Sequence, residues 1–114
     1  MVEVRRGAVV LCDFSPVVGT EQSGLRPAVV VQIDRANAAS PHTIVVPFTT
    51  RIRRGILPSH YLVPSGRGGL TQDSVALCEQ VRVVDKGRII RQLGILSDED
   101  MQGMAAALRL ILGL

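Results

Sequence analysis

Arg26 stands where a polar, glycine-flanked segment beginning at Asp13 gives way, through Pro27, to the apolar run Ala28-Val29-Val30-Val31. A cation at the root of a rigid strand is held with precision, and its planar guanidinium fork matches the oxygens of a phosphate. A second stretch, Ile44-Val45-Val46-Pro47-Phe48-Thr49-Thr50, ends an apolar strand on two hydroxyls. Arg51-Ile52-Arg53-Arg54 follows directly as a basic cluster. A fourth stretch, Cys78-Glu79-Gln80-Val81-Arg82, alternates polar with apolar side chains, as a strand with one wet face does. Cations, hydroxyls and carboxylates in this mixture suit the handling of a phosphate ester. The chain has no Walker-type phosphate loop, no His-Glu-x-x-His zinc motif and no Gly-x-Ser-x-Gly nucleophile elbow.

Each residue also has a plainer reading. Arg26 alone could form a structural ion pair, and Thr49 alone could cap a turn. Glu79 could pair with Arg82 along the sheet, and the Arg51–Arg54 loop could simply be solvated. Histidine is a common acid–base group, so His42 and His60 invite a catalytic pair, but they read as structural or surface residues. Gly66-Arg67-Gly68-Gly69 leads into no helix pattern and reads as a turn.

Charge sharpens the choice. The 114 residues carry a net +3, and twelve of the thirteen bases are Arg. Between Arg35 and Gln72 there are five arginines and no acid, so that region should attract anions. Phe14, Phe48 and Tyr61 are the only aromatics, too few for a base-stacking platform. A nucleic-acid ligand would have to be held through phosphates and base edges. Two cysteines, Cys12 and Cys78, sit in apolar runs and read as reduced core residues, with a disulfide left open. They leave too few ligands for a structural zinc. The longest apolar run is about five residues, against the ~20 needed to cross a bilayer. Met1–Gly7 lacks a signal-peptide core and carries Glu3. A cytoplasmic chain without membrane partners is expected.

The elements that must position these groups are short and Val-rich. Strands are predicted at Ala8–Asp13, Pro27–Asp34, Thr43–Thr49, His60–Val63 and Ser74–Asp85, the last as one bent strand or two. Loops fall at Ser15–Leu25, Arg35–His42, Thr50–Ser59 and Pro64–Asp73. Pro27 and Pro47 suggest edges or strand starts. Ser97 with Asp100 forms a weak capping box, and Met101, Met104, Ala105, Leu108, Ile111 and Leu112 follow at helical spacing up to Gly113. Close-spaced strands and one terminal helix predict a mainly β chain, a small twisted barrel with the helix as a lid. At this length a single domain over residues 1–114 is expected.

The ordered set Arg6-Gly7, Ser15-Pro16-Val17-Val18-Gly19-Thr20-Glu21-Gln22, Arg26-Pro27, Thr49, Asp73-Ser74-Val75, Glu79-Gln80-Val81-Arg82 and Asp85-Lys86 resembles the MazF/PemK toxins of bacterial toxin–antitoxin systems. The resemblance covers nearly the whole chain. It implies an SH3-like β-barrel that forms a homodimer and a metal-independent endoribonuclease without cofactors. Such an enzyme cuts single-stranded RNA by attack of the 2′-hydroxyl, leaving a 2′,3′-cyclic phosphate and a 5′-hydroxyl. It carries catalysis over to Arg26 and Thr49. Expected RNA contacts are Thr20, Glu21, Gln22, Thr50, Arg51, Arg53, Arg54, Glu79, Gln80 and Arg82. The implied partner is a MazE-like antitoxin whose acidic C-terminal segment competes with RNA.

Chemistry supports these roles unevenly. Arg26 suits a developing phosphorane charge, but a guanidinium holds its proton too tightly to be a good general acid. Thr49 fits better as a hydrogen-bond partner than as a base, and Glu21 or Glu79 is the stronger base. A rival on the same fold resembles CcdB, which poisons DNA gyrase without catalysis through a Trp near its C-terminus. This chain has no Trp. An SH3-like adaptor would need an aromatic groove that three aromatics cannot build.

Overall fold

In the computed structural model, residues 3–15, 24–52 and 57–114 are described. Among the described residues, seven strands form one antiparallel sheet system: β1 Ala8–Asp13, β2 Leu25–Val30, β3 His42–Thr49, β4 His60–Val63, β5 Ser74–Leu77, β6 Arg82–Asp85 and β7 Ile89–Ile95. Helix α1 spans Asp34–Ala39 and helix α2 spans Asp98–Leu112. The spatial order is β4-β5-β3-β2-β1-β7, with β6 also paired to β3.

Valine runs explain the middle of the sheet. Successive strand residues point to opposite faces, and both Val29 and Val30, and both Val45 and Val46, are fully buried. Both faces are therefore covered, so the strands read as continuous apolar runs rather than alternating ones. One face holds a core of Val9, Val29, Val46, Phe48, Val63 and Met104. The other holds Val10, Cys12, Phe14, Ala28, Val30 and Val45.

The mainly β architecture with a C-terminal helix is as expected, but the barrel is open. Strands β4 and β7 end the order and are not paired to each other. The chain at Gly68–Gly69 instead lies against the β7 backbone. A Cβ on Gly69 would meet the Leu93 carbonyl oxygen at 2.0 Å, and one on Gly94 would meet Gly68 at 2.4 Å.

Several boundaries moved. Ser74–Asp85 is two strands, broken by a single 3-10 turn at Cys78–Gln80. Strand β2 starts at Leu25 and stops at Val30, short of Asp34. The expected Arg35–His42 loop contains most of α1, too short for helical periodicity to show. Buried Asn37 anchors it, accepting from Thr43 Oγ1 (2.7 Å) and donating to the Gln32 carbonyl (2.9 Å). Strand β7 was missed because Arg91, Gln92 and Gly94 dilute its apolar text; it pairs β1 through two bulges. Neither Pro27 nor Pro47 lies on an edge strand. Pro27 pairs Leu11, and Pro47 pairs Ala28.

Helix α2 begins as predicted: Ser97 Oγ accepts from the Asp100 N–H (3.1 Å), and Gly113 ends it at φ +71°. Met101, Met104 and Ala107 are buried, whereas Ile111 and Leu112 are exposed. Fifteen helical residues span about 22 Å, while the four-residue β4 beneath covers about 13 Å, so the last turn overhangs. Asp100 is buried yet paired: it accepts from the Tyr61 hydroxyl (2.7 Å) and from Arg67 Nη1 (3.1 Å). Cys12 and Cys78 are both buried and free. Among the described residues, no helix is long and apolar enough to cross a membrane.

Gly94→Ala should force the 68–69 backbone off β7, at a cost of about 3 kcal/mol, lowering Tm by roughly 10 °C or more. Gly113→Ala meets open space and should cost only ~1 kcal/mol for its left-handed backbone. Equal melting shifts in calorimetry would refute the contact.

Burial pushes both thiols from 9.0 up to about 11. Burial, reinforced by the bond to Asp100, pushes the Tyr61 hydroxyl from 10.0 up to about 12. The folded chain keeps these protons to higher pH than the unfolded one, so their contribution is intact below pH 9 and lost as pH rises to 12. The urea midpoint should fall across that window, and Tyr61→Phe should flatten its upper half. A midpoint constant from pH 9 to 12 would contradict this.

Candidate active site

The β1–β2 ladder sets Cys12 opposite Arg26 at the root of β2. Arg26 is half-buried and shares its sheet face with Ala28 and Val30. Thr49 ends β3, also half-buried, on the same face as Val45. Strands β2 and β3 pair Ala28 with Pro47. Continued by two residues, that register puts Arg26 opposite Thr49. The two groups singled out in the sequence, 23 residues apart in the chain, thus lie on one sheet face of neighbouring strands, beyond the last pair of the ladder.

Thr49 is also oriented from its C-terminal side, because its Oγ1 accepts the Arg51 N–H (3.2 Å). That bond turns the chain at the strand end and starts the basic loop. Thr50 and Arg51 are exposed. Strand alternation sends Thr50 to the opposite face from Thr49.

Arg82 lies on β6 opposite Val45. Its guanidinium carbon is 5.3 Å from the Phe14 ring centroid, within the range of a cation–π contact. Sequence reading missed Arg88. Its Nη1 donates to the Asp13 carbonyl (3.2 Å) and to the Ser15 carbonyl. The charges of Arg82 and Arg88 both act on the Cys12 thiol, against the larger effect of its burial. Arg26, Arg82 and Arg88 therefore gather around the end of β1. No sequence signal marks Arg88, because its role depends on β7 returning beside β1, with Ile89 opposite Cys12.

Glu79 and Gln80 occupy the turn between β5 and β6. That turn sits beside Val46–Pro47, where β3 exchanges its β6 partner for β5. The sequence reading paired Glu79 with Arg82. In the structure its carboxylate accepts from Ser59 Oγ (3.4 Å) and lies 2.9 Å from His60 Nε2. Nδ1 of the same imidazole accepts the Leu57 N–H (3.3 Å), so Nε2 carries the proton that Glu79 receives. The Cys78 N–H donates to the Ser59 carbonyl (3.2 Å). These bonds fasten the turn to the chain entering β4, because β4 pairs β5 with His60 opposite Leu77. His60, read as a structural or surface residue, thus holds the Glu79 carboxylate. His42 is exposed at the far end of β3, about 23 Å from Thr49 along the strand.

Thr20, Glu21, Gln22, Arg53 and Arg54 lie outside the described residues. Among the described residues, no cluster of His, Cys, Asp and Glu could hold a metal ion. The assembled groups can bind an anion and stabilise added negative charge beside a hydroxyl and a carboxylate.

Comparison with known proteins gives this arrangement a family. A profile described as PemK-like, MazF-like toxin of type II toxin-antitoxin system matches residues 5–112. The endoribonuclease MazF of Staphylococcus saprophyticus is 43% identical over 111 residues, covering 97% of this chain and 92% of that protein. The crystal structure of MazF from Deinococcus radiodurans superposes with a TM-score of 0.83 at 27% identity, covering 97% of each chain. A mycobacterial endoribonuclease solved with its cognate antitoxin shares the fold, with a TM-score of 0.81 at 22% identity over 97% of this chain and 96% of its own. With nearly every residue matched, and the sheet and terminal helix shared, the chain belongs to the PemK-like, MazF-like toxin family of type II toxin–antitoxin systems.

Proposed function

We propose that this chain is an endoribonuclease toxin that cuts single-stranded RNA without a metal, acting as one domain over residues 1–114. The position of Arg26 and Thr49 on one face of the paired strands β2 and β3 supports the reading. A cation and a hydroxyl on one face suit the handling of a phosphodiester.

In the proposed reaction the RNA's own 2′-hydroxyl attacks the adjacent phosphate. The O2′–P bond forms, the P–O5′ bond breaks, and a 2′,3′-cyclic phosphate and a 5′-hydroxyl result. The 2′-hydroxyl proton passes to a carboxylate, Glu21 or Glu79; the leaving O5′ is protonated by water, and the hydroxide so formed takes the proton back from the carboxylic acid. Arg26 stabilises the charge that builds on the phosphorane. Thr49 hydrogen-bonds the scissile phosphate or the attacking hydroxyl. Thr20, Glu21, Gln22, Thr50, Arg51, Arg53, Arg54, Glu79, Gln80 and Arg82 hold the flanking RNA, with His60 fixing Glu79.

Two copies form the active dimer. A MazE-like antitoxin with an acidic segment competes with RNA for the same cationic face in the cytoplasm. The gyrase-binding alternative is set aside, because the curated relative is an endoribonuclease.

Arg26→Ala and Thr49→Ala should each lower kcat by ~100–1,000-fold while leaving the melting curve in place. His60→Ala should raise KM a few-fold by freeing Glu79, and His42→Ala should do neither. Single-turnover cleavage of a short RNA measures all four. An Arg26→Ala variant that cleaves at the wild-type rate would sink the assignment.

Cleavage should survive EDTA. It should disappear when the 2′-hydroxyl at the cut is replaced by hydrogen, with binding of that RNA retained. Efficient cutting of the deoxy substrate, or loss of activity in EDTA restored by a divalent ion, would require a different mechanism.

A further inference from the structure

The core under α2 opens to solvent at one end of the sheet. On that face, Val9 of β1 is followed by Leu11, Val29 of β2 is preceded by Pro27, and Phe48 of β3 is followed by Thr50. Leu93 and Arg91 occupy the matching part of β7. Leu11, Pro27, Thr50, Arg91 and Leu93 line a cavity of about 490 Å³. Half-buried Leu11, Pro27 and Leu93 make its floor, and exposed Thr50, Gln72 and Arg91 stand at its rim. No carboxylate is among its described lining residues. It is the mouth of the open barrel, a common place for ligand sites.

Its position relative to the proposed active site is fixed by one peptide bond. Thr49 and Thr50 are consecutive, with Cα atoms ~3.8 Å apart, and their side chains take opposite faces of β3. A strand of RNA with its scissile phosphate at Thr49 can bend round the end of β3 and place a neighbouring nucleotide in the mouth.

We propose that the mouth holds one unstacked base of the single-stranded RNA beside the cut, with Arg91 on that nucleotide's phosphate and Gln72 and Thr50 on the base edge. This rests on the ribonuclease reading above and adds a specificity pocket to it. The chemistry fits a base. Single-stranded RNA is read by splaying bases out and bonding their edges. The Gln72 amide offers both donors and an acceptor, and the Thr50 hydroxyl can serve as either. The aliphatic floor takes the base face, in a chain too poor in aromatics to stack it on a ring. The Arg91 guanidinium supplies the phosphate fork.

The test is single-turnover cleavage of short RNAs carrying each of the four bases at the positions flanking the cut, by wild type, Gln72→Ala and Arg91→Met. Both residues are exposed, so both variants should melt as wild type does. Gln72→Ala should flatten the base preference at one flanking position by about 10-fold or more and leave the others alone. Arg91→Met should raise KM for all four bases together with kcat retained. Wild type that cleaves, with the same base preferences in Gln72→Ala and the same KM in Arg91→Met, would overturn the mouth assignment and leave the ribonuclease reading standing. Wild type that cleaves no RNA would overturn both. Unchanged base preference with loss of the dimer, or with loss of antitoxin affinity alone, would give the mouth to a second copy or to a protein segment and overturn the proposal.

Discussion

Strand β3 changes partner once along a single edge, and the geometry of the site follows from that change. Its first half pairs β6 from His42 to Val45, and its end pairs β5 at Phe48 and Thr49. Between them lie Val46 and Pro47. Proline has no N–H to give to a ladder, so its place at the break leaves one donor fewer to satisfy. The other edge of β3 pairs β2 at Val45, Val46 and Pro47 and so bridges the change of partner. Thr49 lies just past the break, on the sheet face that Arg26 shares. The 3-10 turn Cys78–Gln80 fills the gap and sets Glu79 beside the strand.

The site is cationic because the fold concentrates arginines at one strand end. Arg26 arrives on β2, Arg82 on β6 and Arg88 just before β7, all near Cys12 and Phe14. Guanidiniums this close repel one another. Phe14 offers one a ring face, and the Asp13 and Ser15 carbonyls occupy another. The opposite end of the molecule uses charge differently. Buried Asp100 is satisfied by Tyr61 and Arg67 and ties α2 to β4 and to the segment that approaches β7. Removing either partner would leave a buried carboxylate short of a donor, which is costly.

Much of this was written locally. The Val-rich runs of β1, β2 and β3, the Ser97 cap, the Gly113 stop and the placement of Arg26 and Thr49 at strand ends depend on short-range chemistry that a sequence displays. The residue order also carried the family resemblance, which the matched profile and the 43% identical relative uphold. Strand β7 was hidden because an edge strand with an exposed face can carry Arg91, Gln92 and Gly94 without losing its core contacts. Helix α1 was hidden because six residues are fewer than two turns, and its anchor, Asn37, bonds to Thr43 only once β3 has formed.

By itself, the sequence determined a mainly β chain with a C-terminal helix, an excess of arginine over acid, and the positions of an arginine near one strand's start and a hydroxyl at another's end. Tertiary structure decided what stands next to what. It left the barrel open at β4 and β7, brought the unmarked Arg88 to the end of β1, and gave Glu79 to His60 and Ser59 rather than to Arg82. The reason is one of range. Caps, turns and apolar runs are settled within a few residues, whereas a register between strands tens of residues apart is settled only by the simultaneous burial of both faces.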